Sequence, residues 1–110
     1  AARFWVEYHR FVGQGAAERL TIHLAAAPSR GALEIRMSRA FFDALQIERV
    51  TPEPETVEVG AADVVLRFAG AAAQSSSVVV DAEPRAVGRQ TATIGAAGAP
   101  PVTLTQFVYF

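Results

Sequence analysis

The 110-residue chain has no cysteine and no lysine, and its apolar runs stay far short of the ~20 residues a membrane helix needs. Without cysteine there is no disulfide framework and no thiolate for zinc. An extracellular domain can dispense with disulfides, so the absence assigns no compartment. Without lysine, all ten basic residues are arginine. A GC-rich genome accounts for abundant arginine and alanine together. Arginines selected to grip phosphate or carboxylate would be clustered, and these are scattered from Arg3 to Arg89. Charge is sparse as well, at 19% of residues with a net of −1. That leaves no electrostatic basis for binding nucleic acid or an anionic membrane surface. The opening Ala1-Ala2-Arg3 lacks methionine, as expected of a processed or excised protein. Any signal or membrane anchor is expected before Ala1, so a membrane enters only through a segment outside this chain.

What the chain does have is apolar surface, at 51% of residues. Residues 1–110 fit one domain with a single core, able to bury roughly two thirds of the surface its unfolded chain exposes. Along most of the chain apolar and polar residues alternate at period two, and turn residues interrupt them. Strands are expected at Phe4 to His9, Arg19 to Leu24, Leu33 to Met37, Gln46 to Val50 and Thr56 to Val59. Four more follow at Asp63 to Phe68, Ser77 to Ala82, Arg89 to Ile94 and Val102 to Tyr109. Gly13-Gln14-Gly15, the turn Ala27-Pro28-Ser29-Arg30-Gly31 and Thr51-Pro52-Glu53-Pro54 break them. In the first strand Phe4, Val6 and Tyr8 face inward, and Trp5, Glu7 and His9 outward. The Val78-Val79-Val80 run suits a strand covered on both faces. Ala69 to Ser76 reads as a mobile loop.

Two places break the rhythm. From Ser38 to Leu45 the spacing of Phe41, Phe42 and Leu45 changes to that of a helical turn, with Ser38 as its expected cap. That turn is expected to plug one end of the fold. In the last strand Val102 and Leu104 give way to Phe107 and Tyr109 out of phase, which predicts a bulge near Thr105 or Gln106. The fold class is therefore all-β: an antiparallel β-sandwich of about seven to nine strands with one short helical turn near residues 39–45.

The segments AFFDALQIERVTPEP, ETVEVGAADVVLRF, SSSVVVDAEP and AVGRQTATI together resemble the immunoglobulin-like repeat domains of bacterial surface and cell-wall proteins. The tail Thr103-Leu104-Thr105-Gln106-Phe107-Val108-Tyr109 is similar to the C-termini of small actinobacterial proteins with one membrane anchor and an uncharacterised outer domain. These resemblances imply an extracytoplasmic, non-enzymatic interaction or structural module, membrane-anchored or at the cell surface, whose partner is a protein or cell-wall component. They carry over no catalytic residue.

The residues themselves point the same way. His9 and His23 lack the further ligands zinc needs, and a contact between His23 and Glu7 is the expected outcome. Ser75, Ser76 and Ser77 sit in no G-x-S-x-G elbow. Gly13-Gln14-Gly15 has no third glycine and opens no helix. Carboxylates are spread evenly, without the facing pair of a glycosidase. No catalytic, metal or cofactor residue is therefore expected, and no cofactor. The aromatics hold the functional interest. Trp5, His9, Phe11 and Tyr109 form the expected interaction surface, because an outward aromatic offers large apolar area. Two alternatives stand beside it: Trp5 packed beneath a loop or the last strand, and a carbohydrate-binding module using Trp5 with Tyr8 or Tyr109. Weak self-association through an exposed edge strand is a further expectation.

Overall fold

The computed structural model describes residues 4–24, 32–69, 77–96 and 101–109. The turn expected at Ala27–Gly31, the loop expected up to Ser76 and most of the 95–101 stretch lie outside the described residues. Ten strands and one helical turn follow in chain order: β1 (Phe4–Glu7), β2 (Phe11–Gly13), β3 (Glu18–Leu24), β4 (Ala32–Ser38), α1 (Arg39–Asp43), β5 (Leu45–Thr51), β6 (Thr56–Val59), β7 (Asp63–Ala69), β8 (Ser77–Pro84), β9 (Gly88–Ala96) and β10 (Val102–Tyr109). They form two sheets. One has four strands in the order β1-β3-β8-β5, and the other has six in the order β2-β10-β9-β4-β7-β6. This is the all-β sandwich that the alternating pattern demands, with two corrections. The described residues form ten strands, because the expected first strand ends at Glu7 and Phe11–Gly13 crosses to the other sheet. Pairing is also not wholly antiparallel, since β2 runs parallel to β10.

The inward positions of both sheets supply one core. Leu20, Ile22 and Leu24 of β3 and Val78, Val80 and Ala82 of β8 face Leu33, Ile35 and Met37 of β4, Val64, Leu66 and Phe68 of β7, and Ala92, Ile94 and Leu104 of β9 and β10. Each fully buried Leu, Ile, Val or Phe gains about 1.5–3 kcal/mol by leaving water, so strand phase follows from the apolar spacing. Val79 departs from expectation. It is half-exposed, because no element among the described residues covers the outer face of β8, and burial alternates strictly along that strand. On the outer face of the six-stranded sheet, Arg67 of β7 holds Glu34 of β4 at 3.0 Å and Glu58 of β6 at 2.7 Å, a charge ladder across three strands. Solvent screens exposed pairs of this kind, so they add little stability and their consequence is register.

α1 is the plug expected from the period change. Phe41 is buried in the core cluster, and the turn touches β5 of one sheet and β4, β7 and β9 of the other. Its capping differs from the expectation. Ser38 makes no side-chain cap; its Oγ instead accepts a hydrogen bond from the Thr93 amide at 3.2 Å, which ties the helix entry to β9. The bulge also lies elsewhere. The β10–β9 ladder runs unbroken from Val102↔Ile94 to Val108↔Gly88, and the register shift falls in β5 between Ile47 and Arg49. β10 holds its phase because Gln106, not an apolar residue, occupies the core position between Leu104 and Val108.

Gly15 turns the chain between β2 and β3 at φ +77, a left-handed conformation that favours glycine. Its amide donates to the Pro84 carbonyl at 2.9 Å, which ties the turn to the end of β8.

Truncating the plug tests this account of the core. Phe41→Ala is expected to cost about 3–5 kcal/mol in equilibrium urea unfolding.

Candidate functional site

Two features stand out once the strands are placed: a polar pair inside the core and an aromatic stripe outside it. They share β10.

Inside, Gln106 is 0% exposed. Its Nε2 donates to the Glu18 carboxylate on β3 and to the His9 carbonyl at 2.8 Å. Glu18 is itself buried, so the contact bridges the two sheets at the point where the chain passes from β1 to β2. Removal from water pushes the Glu18 carboxyl above its ordinary value near 4.5; the Gln106 hydrogen bond and the field of His9 oppose that rise. Gln106 Oε1 is buried without a hydrogen-bond partner. A protonated Glu18 would supply the missing donor, and the acid and amide would then be joined by two hydrogen bonds.

Outside, the parallel register places Phe11 of β2 opposite Phe107 of β10. The two rings stack with centroids 5.5 Å apart. Tyr109 lies one pleat further along the same face, over Gly13. A Cβ on Gly13 would stand 3.6 Å from the Tyr109 ring. Phe11 is 65%, Tyr109 59% and Phe107 41% exposed. With 150–250 Å² per aromatic side chain, the stripe shows on the order of 300 Å² of apolar surface. Contiguous patches of this size on a soluble protein are commonly functional.

Trp5 is exposed, in the phase expected of it, but it belongs to the other face. It lies opposite His23 in the β1–β3 ladder, and the two rings stack at 4.9 Å and 14°. The expected contact between His23 and Glu7 is present. Nε2 is 3.0 Å from Glu7 Oε1, though not aligned as a hydrogen bond. In the register that produces it, His23 faces Trp5 and reaches Glu7 on the diagonal. His9 lines a shallow groove of about 240 Å³ with Glu7, Tyr8, Arg19 and Thr21.

This placement bears on chemistry. Ser77 is the ladder partner of His23 on β8, which gives the order carboxylate, imidazole, hydroxyl across the outer face of three strands. Among the described residues no hydrogen bond joins Ser77 to the ring. No group of three or more His, Cys, Asp and Glu side chains gathers as metal ligands among the described residues. The sugar-binding arrangement does not form either. Trp5 points out of the four-stranded sheet, Tyr109 out of the six-stranded sheet, and Tyr8 packs against the core.

Sequence reasoning missed both Gln106 and Phe107. Holding period two through Leu104, Gln106 and Val108 would have placed Gln106 inside and Phe107 outside; the expected bulge hid both.

The buried carboxyl generates a pH signature. Because its folded-state pKa is raised, the native state binds more protons than the unfolded chain. The contribution of this group to stability is then fully present below about pH 4.5, the ordinary glutamate value, and is lost as pH rises through the folded-state pKa. Glu18→Gln is expected to flatten that slope in urea unfolding measured across this range. Gln106→Leu, which leaves Glu18 without its amide, is expected to cost about 1–3 kcal/mol at neutral pH.

No protein-family model matches the chain. No curated protein matches it. Among solved structures it is similar to the cohesin module from the family 33 glycoside hydrolase of Clostridium perfringens ATCC13124. Identity is 12%, the match covers 98% of this chain and 96% of that one, and the TM-score is 0.59. At that identity the likeness establishes the fold: this chain is a two-sheet β-sandwich of the cohesin and immunoglobulin-like kind.

Proposed function

We propose that this chain is one extracytoplasmic, non-catalytic module that binds a protein partner through the stripe of Phe11, Phe107 and Tyr109. The observation that carries the reading is the stacked, solvent-facing Phe11–Phe107 pair. A soluble fold gains nothing by leaving two phenylalanines and a tyrosine together in water, whereas an interface gains from burying rigid aromatic anchors. The stripe is also preorganised. Phe11 is held by the β2–β10 pairing, and the Phe107 amide donates to the Arg10 carbonyl at 2.7 Å. Little side-chain or backbone ordering is therefore left to cost affinity.

Of the residues expected from the sequence, Phe11 and Tyr109 belong to this surface. Trp5 and His9 make a second, smaller contact area outside it. The similar sandwich in Clostridium perfringens is a module of a glycoside hydrolase. That setting agrees with a module carried by a larger secreted or surface protein. An anchor in a neighbouring segment and an actinobacterial source belong to the same reading. Among the described residues no helix is long and apolar enough to cross a membrane.

A photo-crosslinking amino acid at position 109, with the same probe at exposed Ala40 of the helical turn as control, tests the reading in the envelope fraction of producing cells. The expected result is a discrete protein adduct from position 109 that disappears with Phe11→Ser. No adduct at 109, or the same adducts from both positions, would overturn it.

A further inference from the structure

We infer that the module associates head to tail: the aromatic stripe of one copy docks on the β5–β6 edge of a second copy. This names the partner of the surface proposed above and so builds on that proposal.

The charges around the stripe point to what it meets. No acidic residue follows Glu83 in the sequence, and β2 has none. The face built from β2, β10 and β9 therefore carries no carboxylate. It does carry arginine. Arg89 is the ladder partner of Phe107, and Arg10 precedes Phe11. Both are exposed, and neither has an ion-pair partner among the described residues. Elsewhere among the described residues most arginines are engaged, Arg49 being the exception. Arg19, Arg36, Arg39 and Arg67 each hold a carboxylate, and Arg85 holds the Gln46 amide. The stripe is thus apolar and cationic, and its complement is apolar and anionic.

That complement lies at the far end of the same molecule. β5 and β6 are the last strands of their sheets, on the side opposite β1 and β2. Val57 and Val59 of β6 share their phase with the inward side of the six-stranded sheet, yet both are exposed, because the four-stranded sheet is too narrow to cover them. Between the two edges runs an open groove of about 640 Å³. Ile47, Val50 and Val57 give it apolar walls, and Glu48 and Glu53 give it acid, with Arg49 as its cation. Neither Glu48 nor Glu53 has an ion-pair partner among the described residues.

Because the two surfaces occupy opposite ends of one rigid sheet, a molecule cannot satisfy itself. Pairing them across copies is heterologous, so each addition leaves one stripe and one groove unfilled, and the assembly stays open to growth. This differs from strand-edge self-association, because the contact uses side chains on a face and in a groove rather than ladder hydrogen bonds.

Sedimentation velocity on the wild-type chain, from about 10 µM to about 1 mM, tests the inference within the weak range expected of a small interface. The expected result is growth beyond the dimer with rising concentration, weakened by high salt, which screens the Arg–Glu attraction. Two variants, each checked for a wild-type fold by circular dichroism, sharpen the test. Phe11→Ser with Arg89→Glu removes the stripe, and Val57→Lys with Glu53→Lys removes the groove. Each alone is expected to stay monomeric. Mixed in equal amounts they are expected to form a dimer that grows no further, since one intact stripe meets one intact groove. If a double variant misfolds, the single substitutions Arg89→Glu and Glu53→Lys replace it, each expected to weaken association about tenfold or more. A wild-type monomer at the highest concentration, a wild-type species that stops at dimer, or a mixture that stays monomeric would overturn the inference. A monomeric wild type whose position-109 probe still captures another protein overturns the self-assembly and leaves the interaction module standing.

Discussion

The contact between Gln106 and Glu18 is the constraint on which the rest of this end of the molecule depends. Among the described residues of the core the sheets otherwise meet through apolar side chains, which set distance but tolerate sliding. Here a directional bond joins β10 of one sheet to β3 of the other and also captures the His9 carbonyl, at the point where the chain crosses between layers. With that crossing fixed, β2 can pair in parallel with β10, and Phe11 comes to rest on Phe107. The outer aromatic surface thus follows from an inner polar one. An amide and a carboxyl in an apolar core cost stability unless satisfied, and the orphaned Gln106 Oε1 shows that satisfaction is incomplete while the carboxyl is ionised.

Most of the sandwich was legible in the sequence because each strand buries one face, and burial imposes period two wherever it acts. Leu20, Ile22 and Leu24, or Leu33, Ile35 and Met37, report their own phase without knowledge of any neighbour. The helical turn was legible for the same reason, since Phe41 and Leu45 change period locally. What escaped notice depended on partners distant in sequence. β2 is three residues long and exists only because β10 lies beside it. Gln106 reads as a break in an apolar pattern until Glu18 is placed against it. Ser38 looks like a helix cap until the Thr93 amide competes for its oxygen. Val79 reads as buried until its outer face proves to have no cover.

The candidate site divides in the same way. Exposure of Trp5, Phe11 and Tyr109 follows from strand phase, which is local. Grouping does not, because it rests on which strands become neighbours. The ladders put Trp5 with His23 on one face, and Phe11 and Tyr109 with Phe107 on the other. The groove at β5–β6 was invisible in the sequence, because it arises from two sheets of unequal width. Val57 and Val59 hold the inward phase of their sheet, and the four-stranded layer ends before reaching them.

The strand orders β1-β3-β8-β5 and β2-β10-β9-β4-β7-β6 also bear on how the chain reaches this state. Only β6–β7 and β9–β10 pair strands that adjoin in sequence; β1 and β3 lie close in the chain, and the remaining ladders join distant segments. Closing long loops before any reward arrives is slow, so folding is expected on the order of milliseconds to seconds rather than microseconds. The two hairpins and the β1–β3 pair can form early, whereas β2 waits for β10 and β3 for β8, which come late in the chain. During synthesis β3 would thus emerge with one edge paired and the other open until β8 is made.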